Sequence, residues 1–166
     1  MVNRRHLIAL LGATGLAPRL AWAKDYIDLN WTDLIPEGEV AAPPGIEALM
    51  PHDETMAMSV RQPPSSGVRN DWNGEVVRIP GYIVPIDYSG TGVTAFILVP
   101  FVGACVHVPP PPANQLVFVT TADPYESSGM FEAVNVVGMF GTASTSTQLA
   151  DIGYSLSADR IEPFKR

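Results

Sequence analysis

The sequence predicts a mainly β fold, a small open or closed barrel of OB-like type preceded by an irregular, proline-rich N-terminal segment. Three observations predict it. From Glu75 onward the chain breaks into short runs rich in Val, Ile, Phe and Tyr, each closed by Gly, Pro or Asp. Five or six such runs follow one another without a sustained helical period, which suits a barrel or a rolled sheet. Ser89-Gly90-Thr91-Gly92 has the composition of a hairpin turn between the first two.

Residues 1–23 read as a removable address. Arg4 and Arg5 make a basic start, residues 7–17 are apolar, and Ala21-Trp22-Ala23 is a small-x-small site with cleavage expected after Ala23. The Arg4-Arg5 pair resembles a twin-arginine signal, which exports proteins already folded. Leu7 where that signal carries Phe, and no Lys after it, keeps an ordinary Sec signal open. Either route predicts a periplasmic protein, with no membrane span in the mature form and no Cys at the cleavage site to take a lipid.

Residues 24–73 carry many breakers, Pro36, Pro43-Pro44, Pro51, Pro63-Pro64 and Ser65-Ser66-Gly67, and read as an irregular leader. Trp31, Leu34 and Ile35 are expected to pack it onto the domain, and residues 46–50 suit one helical turn after the proline pair. Residues 74–166 form the β domain, with strands expected near 76–86, 93–101, 104–108, 115–121, 133–140 and 154–161. Pro80 and Pro85 fall inside the first of these. A central strand loses ladder donors there, so this strand is expected at an edge or with a bulge near Gly81.

With 166 residues, 46% of them hydrophobic, one domain with a real core is the default. Removing Arg4, Arg5 and Arg19 leaves 7 basic against 17 acidic residues, and the net charge goes from -7 to -10. So acidic a surface repels phosphate backbones, which argues against nucleic acid as partner. Cys105 stands alone, so no intramolecular disulfide can form.

The densest chemistry lies in Gly103-Ala-Cys-Val-His-Val-Pro-Pro-Pro-Pro-Ala-Asn-Gln115. In an extended chain alternate side chains share a face, so Cys105 and His107 are expected to point the same way. A thiolate and an imidazole together suit zinc, and copper(I) would accept the same pair. Two ligands leave zinc two short, and His52 is the other histidine beyond the signal. Met50, Met56 and Met58 flank it, a grouping that suits copper(I) outside the cytoplasm and equally suits core packing. Pro109, Pro110, Pro111 and Pro112 lack amide donors, favour polyproline II and are expected to form a stiff exposed arm for docking a partner. Asn114 and Gln115 follow, able to hydrogen-bond the loop backbone.

On residue chemistry alone a buried, structural Cys105 is favoured, since free Cys is among the most buried residue types. A catalytic thiol would need His107 as its base and an oxyanion hole that the sequence does not supply. With no phosphate loop, nucleophile elbow or HExxH, the chain is not expected to be an enzyme. A thiol-redox role would require a lowered thiol pKa.

The strand Gly81-Tyr-Ile-Val-Pro85 and the block Phe96-x-Leu-Val-Pro-Phe-x-Gly-Ala-Cys-x-His-x-Pro-Pro-Pro-Pro-x-Asn-Gln115 resemble a bacterial family of exported proteins classed as a domain of unknown function. The likeness runs from Trp31-Thr-Asp-Leu-Ile-Pro36 through Gly153-Tyr154. It implies a periplasmic accessory protein encoded beside the ATPase and permease of an ABC transporter in operons linked to zinc limitation. It also places Cys105, His107, the four prolines, Asn114 and Gln115 at the family's matching motif positions, which implies function there without fixing a ligand.

Overall fold

The computed structural model describes residues 25–38, 62–65, 67–105 and 110–164. Five long strands close into a barrel, β2 (Val76–Ser89), β3 (Gly92–Val99), β4 (Val117–Tyr125), β5 (Ala133–Gly141) and β8 (Tyr154–Pro163). A two-residue β1 (Ile27–Asp28) flanks β2, and β6 (Thr145–Ser146) pairs with β7 (Asp151–Ile152) between β5 and β8. The barrel order is β2-β3-β4-β8-β5, closing back on β2, with β4 and β8 parallel and the other barrel pairs antiparallel. This is the expected OB-like Greek-key barrel. Helical structure among the described residues is confined to two 3-10 turns, Trp31–Leu34 and Ala113–Gln115. None of these is long and apolar enough to cross a membrane.

Alternation along the strands explains the core. Val77, Ile79, Ile83, Phe96, Leu98, Val117, Val119, Val134, Val136, Leu156 and Tyr154 point inward and are essentially sealed from solvent. The leader stoppers one end of this interior, because Leu29 and Leu34 join the same cluster and Trp31 packs against it. The expected anchors Leu34 and Ile35 are buried, and Trp31 is half-buried.

The β2–β3 hairpin forms where expected, Ser89 opposite Gly92, with Gly90 taking φ 63° at the first loop position. β2 differs from expectation. It is paired on both flanks, with β5 over residues 76–82 and with β3 over residues 82–89, and its register shifts lie between Pro85 and Tyr88 rather than at Gly81. The prolines fit because each half of β2 has a long barrel strand on one flank only. The Pro80 carbonyl accepts the Trp31 indole N–H at 2.7 Å, so the flank where its own N–H would point is the leader's side, away from β5. Pro85 shares its flank with Ile83, which bonds the backbone of Phe131 and Glu132, and lies beyond the end of β5.

Two further strands end elsewhere than expected. β4 starts at Val117 because residues 113–115 form a 3-10 turn, and β8 continues to Pro163. The run expected at 104–108 is not a regular strand where it is described. Ala104 makes a single bridge and Cys105 turns, with φ 68°; residues 106–108 lie outside the described residues. So do residues 1–24 and 46–50, and with them the export signal and the expected helical turn.

Candidate functional site

The outward faces of β2, β3 and β4 are apolar too. Val84, Ile97, Val99 and Leu116 form a second buried cluster with Ala104, Ala150 and Ile152, so the β3–β4 connection and the β6–β7 hairpin fold over this side of the barrel. Tyr82, Phe101, Phe118, Phe131 and Cys105 pack at its rim. OB barrels present this region of their surface to ligands, and here the chain covers it with its own connection.

Cys105 sits in that connection, half-buried and without a disulfide. It follows Gly103 (φ 93°) and itself occupies the left-handed region, which costs a residue with a Cβ roughly 1 kcal/mol. That turn removes the premise of a straight run in which Cys105 and His107 share a face. Burial pushes the Cys105 thiol up to about 11, which keeps it protonated at neutral pH. This is the direction opposite to the one a redox thiol requires.

His107, Pro109, His52, Met50, Met56 and Met58 lie outside the described residues. Cys105 is therefore the one described member of the expected donor set, and no three His, Cys, Asp or Glu side chains converge on a metal position among the described residues.

The proline segment corrects the expectation of an exposed arm. Pro110 and Pro111 are buried and Pro112 is half-buried. A proline run has no amide donors to leave unpaired, so it can be buried once its carbonyls are satisfied. Gln62 does this for Pro111, donating from Nε2 to its carbonyl at 2.7 Å and to the Asp151 carbonyl at 2.8 Å, while Oε1 accepts the Asp151 N–H at 2.8 Å. One leader side chain thus ties the proline segment to the β6–β7 hairpin. Asn114 and Gln115 are buried as well, at 3% and 8% exposure. Gln115 does serve backbone, donating to the carbonyls of Trp31 and Asn114 at 3.0 Å each. As docking surface, the described part of Pro109 to Gln115 offers the half-buried Pro112 and Ala113.

Sequence reasoning missed Gln62 and the covering layer. A lone Gln beside Pro63-Pro64 gives no pattern to read. The layer had a trace: residues 96–99 form an unbroken apolar run, which marks a strand buried on both faces rather than one. Beside the layer lies a hydroxyl-rich cleft of about 410 Å³ bordered by Val68, Ala113, Thr145, Asp151 and Gly153. Gln62→Ala is expected to lower stability by about 1–2 kcal/mol, because its three bonds are partly exposed and water replaces some of them. Urea titration reads this as a lower midpoint at unchanged slope; an unaltered midpoint would mean the proline segment is held without Gln62.

The fold and the site define a small OB-like barrel whose outward β2–β4 face is covered by a cysteine- and proline-bearing connection. A family described as protein of unknown function (DUF3299) matches residues 31–163, and the chain belongs to that family. The solved DUF3299 family protein from Pseudomonas aeruginosa PAO1 is similar at 36% identity and TM-score 0.74, over 85% of this chain and 97% of that one. A chain described as an aspartyl-tRNA synthetase from Leishmania major Friedlin reaches 15% identity and TM-score 0.38, over 74% of this chain and 23% of that one, too slight a likeness to bear on it. No curated protein matches.

Proposed function

We propose that the chain is a periplasmic accessory protein of a transport system, delivered there by residues 1–23. Its working part is the connection from Cys105 to Pro112, with Cys105 and His107 as a donor pair for zinc or another soft metal. His52 or a residue of the transporter completes the coordination. The observation that carries this reading is the setting of Cys105, a residue with a Cβ kept in a left-handed turn at the rim of a buttressed layer and still partly accessible. The transporter in this reading is of the ABC type, a context that rests on the resemblance of the Cys-x-His-x-Pro-Pro-Pro-Pro-x-Asn-Gln block alone.

A second reading, a metal-free module that docks on the periplasmic part of an ABC permease, is favoured by the raised thiol. A protonated Cys105 packed against the Val84, Ile97 and Val99 cluster behaves as a small apolar side chain filling the layer. One titration separates the two. Processed protein is expected to bind about one zinc per chain, with affinity rising about tenfold per pH unit while Cys105 remains protonated, and Cys105→Ser is expected to abolish binding. Zinc should also protect the native thiol from labelling, and the labelling rate of the apo-protein should climb toward pH 11 as thiolate forms. Labelling seen only after denaturation, with no zinc uptake, would replace the metal reading by the docking one.

A further inference from the structure

The cleft of about 410 Å³ between the β6–β7 hairpin and the leader at Val68 has a floor that is fixed before anything enters it. Ile152 is sealed in the second apolar cluster, and the backbone on either side of it is pinned. Gln62 holds the Asp151 N–H and carbonyl at 2.8 Å each, and the Gly153 N–H donates to the Ala113 carbonyl at 2.8 Å. Gly153 also lets Val68 come close, since a Cβ at that position would stand 2.6 Å from Val68 Cγ1. Polar groups with bonds to spare border this floor. Asp151 accepts the Ser146 hydroxyl on Oδ1, and its Oδ2 bonds to no described residue. The Ser144 and Thr145 hydroxyls likewise bond to no other described residue.

The chemistry of these groups selects the ligand. A carboxylate oxygen calls for donors, and two hydroxyls can donate or accept. Asp151 repels phosphates and carboxylates, and the neighbouring cation is spent elsewhere: Arg69 Nε is 2.9 Å from Asp71 Oδ2, with its guanidinium 4.9 Å over the Trp72 ring. A purely apolar ligand would take water from the polar side chains and return no bond. A sugar ring supplies what each side of the cleft needs, hydroxyls around its edge and C–H groups on its face. The volume lies at the small end of ligand sites, which run from about 300 to 1,000 Å³. We infer that this cleft binds a neutral saccharide of one or two rings. Asp151 Oδ2 accepts from a sugar hydroxyl, Ser144 and Thr145 bond its neighbours, and the half-buried Val68 and Ala113 lie against the ring face. Because Gln62 and Ala113 already hold the backbone, little ordering is left to oppose binding. The site needs neither Cys105 nor a metal.

The test titrates the isotope-labelled chain with glucose, maltose and N,N′-diacetylchitobiose and follows its amide signals. At least one sugar is expected to bind with millimolar affinity, moving the signals of Thr145, Asp151 and Gly153 ahead of those in β2 and β5. Thr145→Val keeps the side-chain shape, removes one hydroxyl and is expected to weaken binding about fivefold. Asp151→Asn keeps an acceptor for Ser146, removes the charge and is expected to weaken it about tenfold. Both substitutions spare the Gln62 bonds to the backbone of residue 151, so an unchanged urea midpoint separates lost binding from lost fold. No movement of the cleft signals with any of the three sugars at tens of millimolar overturns the assignment. So does binding that both variants leave as tight as the parent, or an alkylammonium probe that binds there where the sugars do not.

Discussion

Gly138→Ala is expected to destabilise the folded chain by about 4 kcal/mol, enough to unfold a good part of it at growth temperature. Gly138 lies on the inward-facing register of β5, at the shift in pairing with β8 between Val137 and Gly138. A Cβ there would overlap the Ser157 carbonyl oxygen and come within 2.8 Å of the Ala158 Cα. Both are backbone atoms of a strand that is itself held between β5 and β4, so no rotamer change relieves the overlap. Gly81 is a useful contrast. Its Cβ would meet the Leu98 side chain at 2.7 Å and 2.9 Å and the Val99 carbonyl oxygen only at 3.0 Å, so most of the strain falls on a side chain and the cost is lower than at Gly138. Urea unfolding of the two variants gives the ranking; a Gly138→Ala loss below about 1 kcal/mol would mean that the bulge absorbs a methyl group.

Tyr154→Phe is expected to cost about 3 kcal/mol and to lower the melting temperature by roughly 10 °C. One buried hydroxyl holds two parts of the leader against β8, accepting the Arg69 N–H at 2.7 Å and donating to the Leu34 carbonyl at 2.8 Å. Phenylalanine keeps the ring packed 5.1 Å from Phe140 and removes only the oxygen, leaving a part-buried donor and a buried acceptor unpaired. Burial also raises the Tyr154 pKa, so the phenol stays neutral and both bonds persist across the ordinary pH range. Thermal melting checks the magnitude. A variant that melts with the parent would show that water reaches Arg69 and Leu34, and that the leader is not held from inside.

The barrel was legible because its physics is local. Alternation, Gly- and Pro-closed runs and the Ser89–Gly92 turn each act within a few residues, and they marked β2, β3, β4, β5 and β8. What the sequence hid depends on distant partners. Pro80 and Pro85 looked incompatible with a central strand, since nothing near them says that β2 exchanges one neighbour for another halfway along. Pro110 and Pro111 looked exposed, since the donor to the Pro111 carbonyl is Gln62, 49 residues away in sequence. The candidate site divides the same way. Cys105 stood out by its neighbours in the motif, whereas its left-handed turn and its apolar rim come from packing against β2, β3 and β4.

The closure between β2 and β5 joins Val76 to Met139 and Tyr82 to Ala133, segments separated by most of the domain. Contacts of such long sequence separation form only after a large loop has been ordered, so chains wired this way reach their native state in milliseconds to seconds, not microseconds. Until β5 arrives, β2 has at most a hairpin partner, and the newly made polypeptide stays open. Chaperones therefore meet this chain over a far wider interval than a helical protein of equal length would give them.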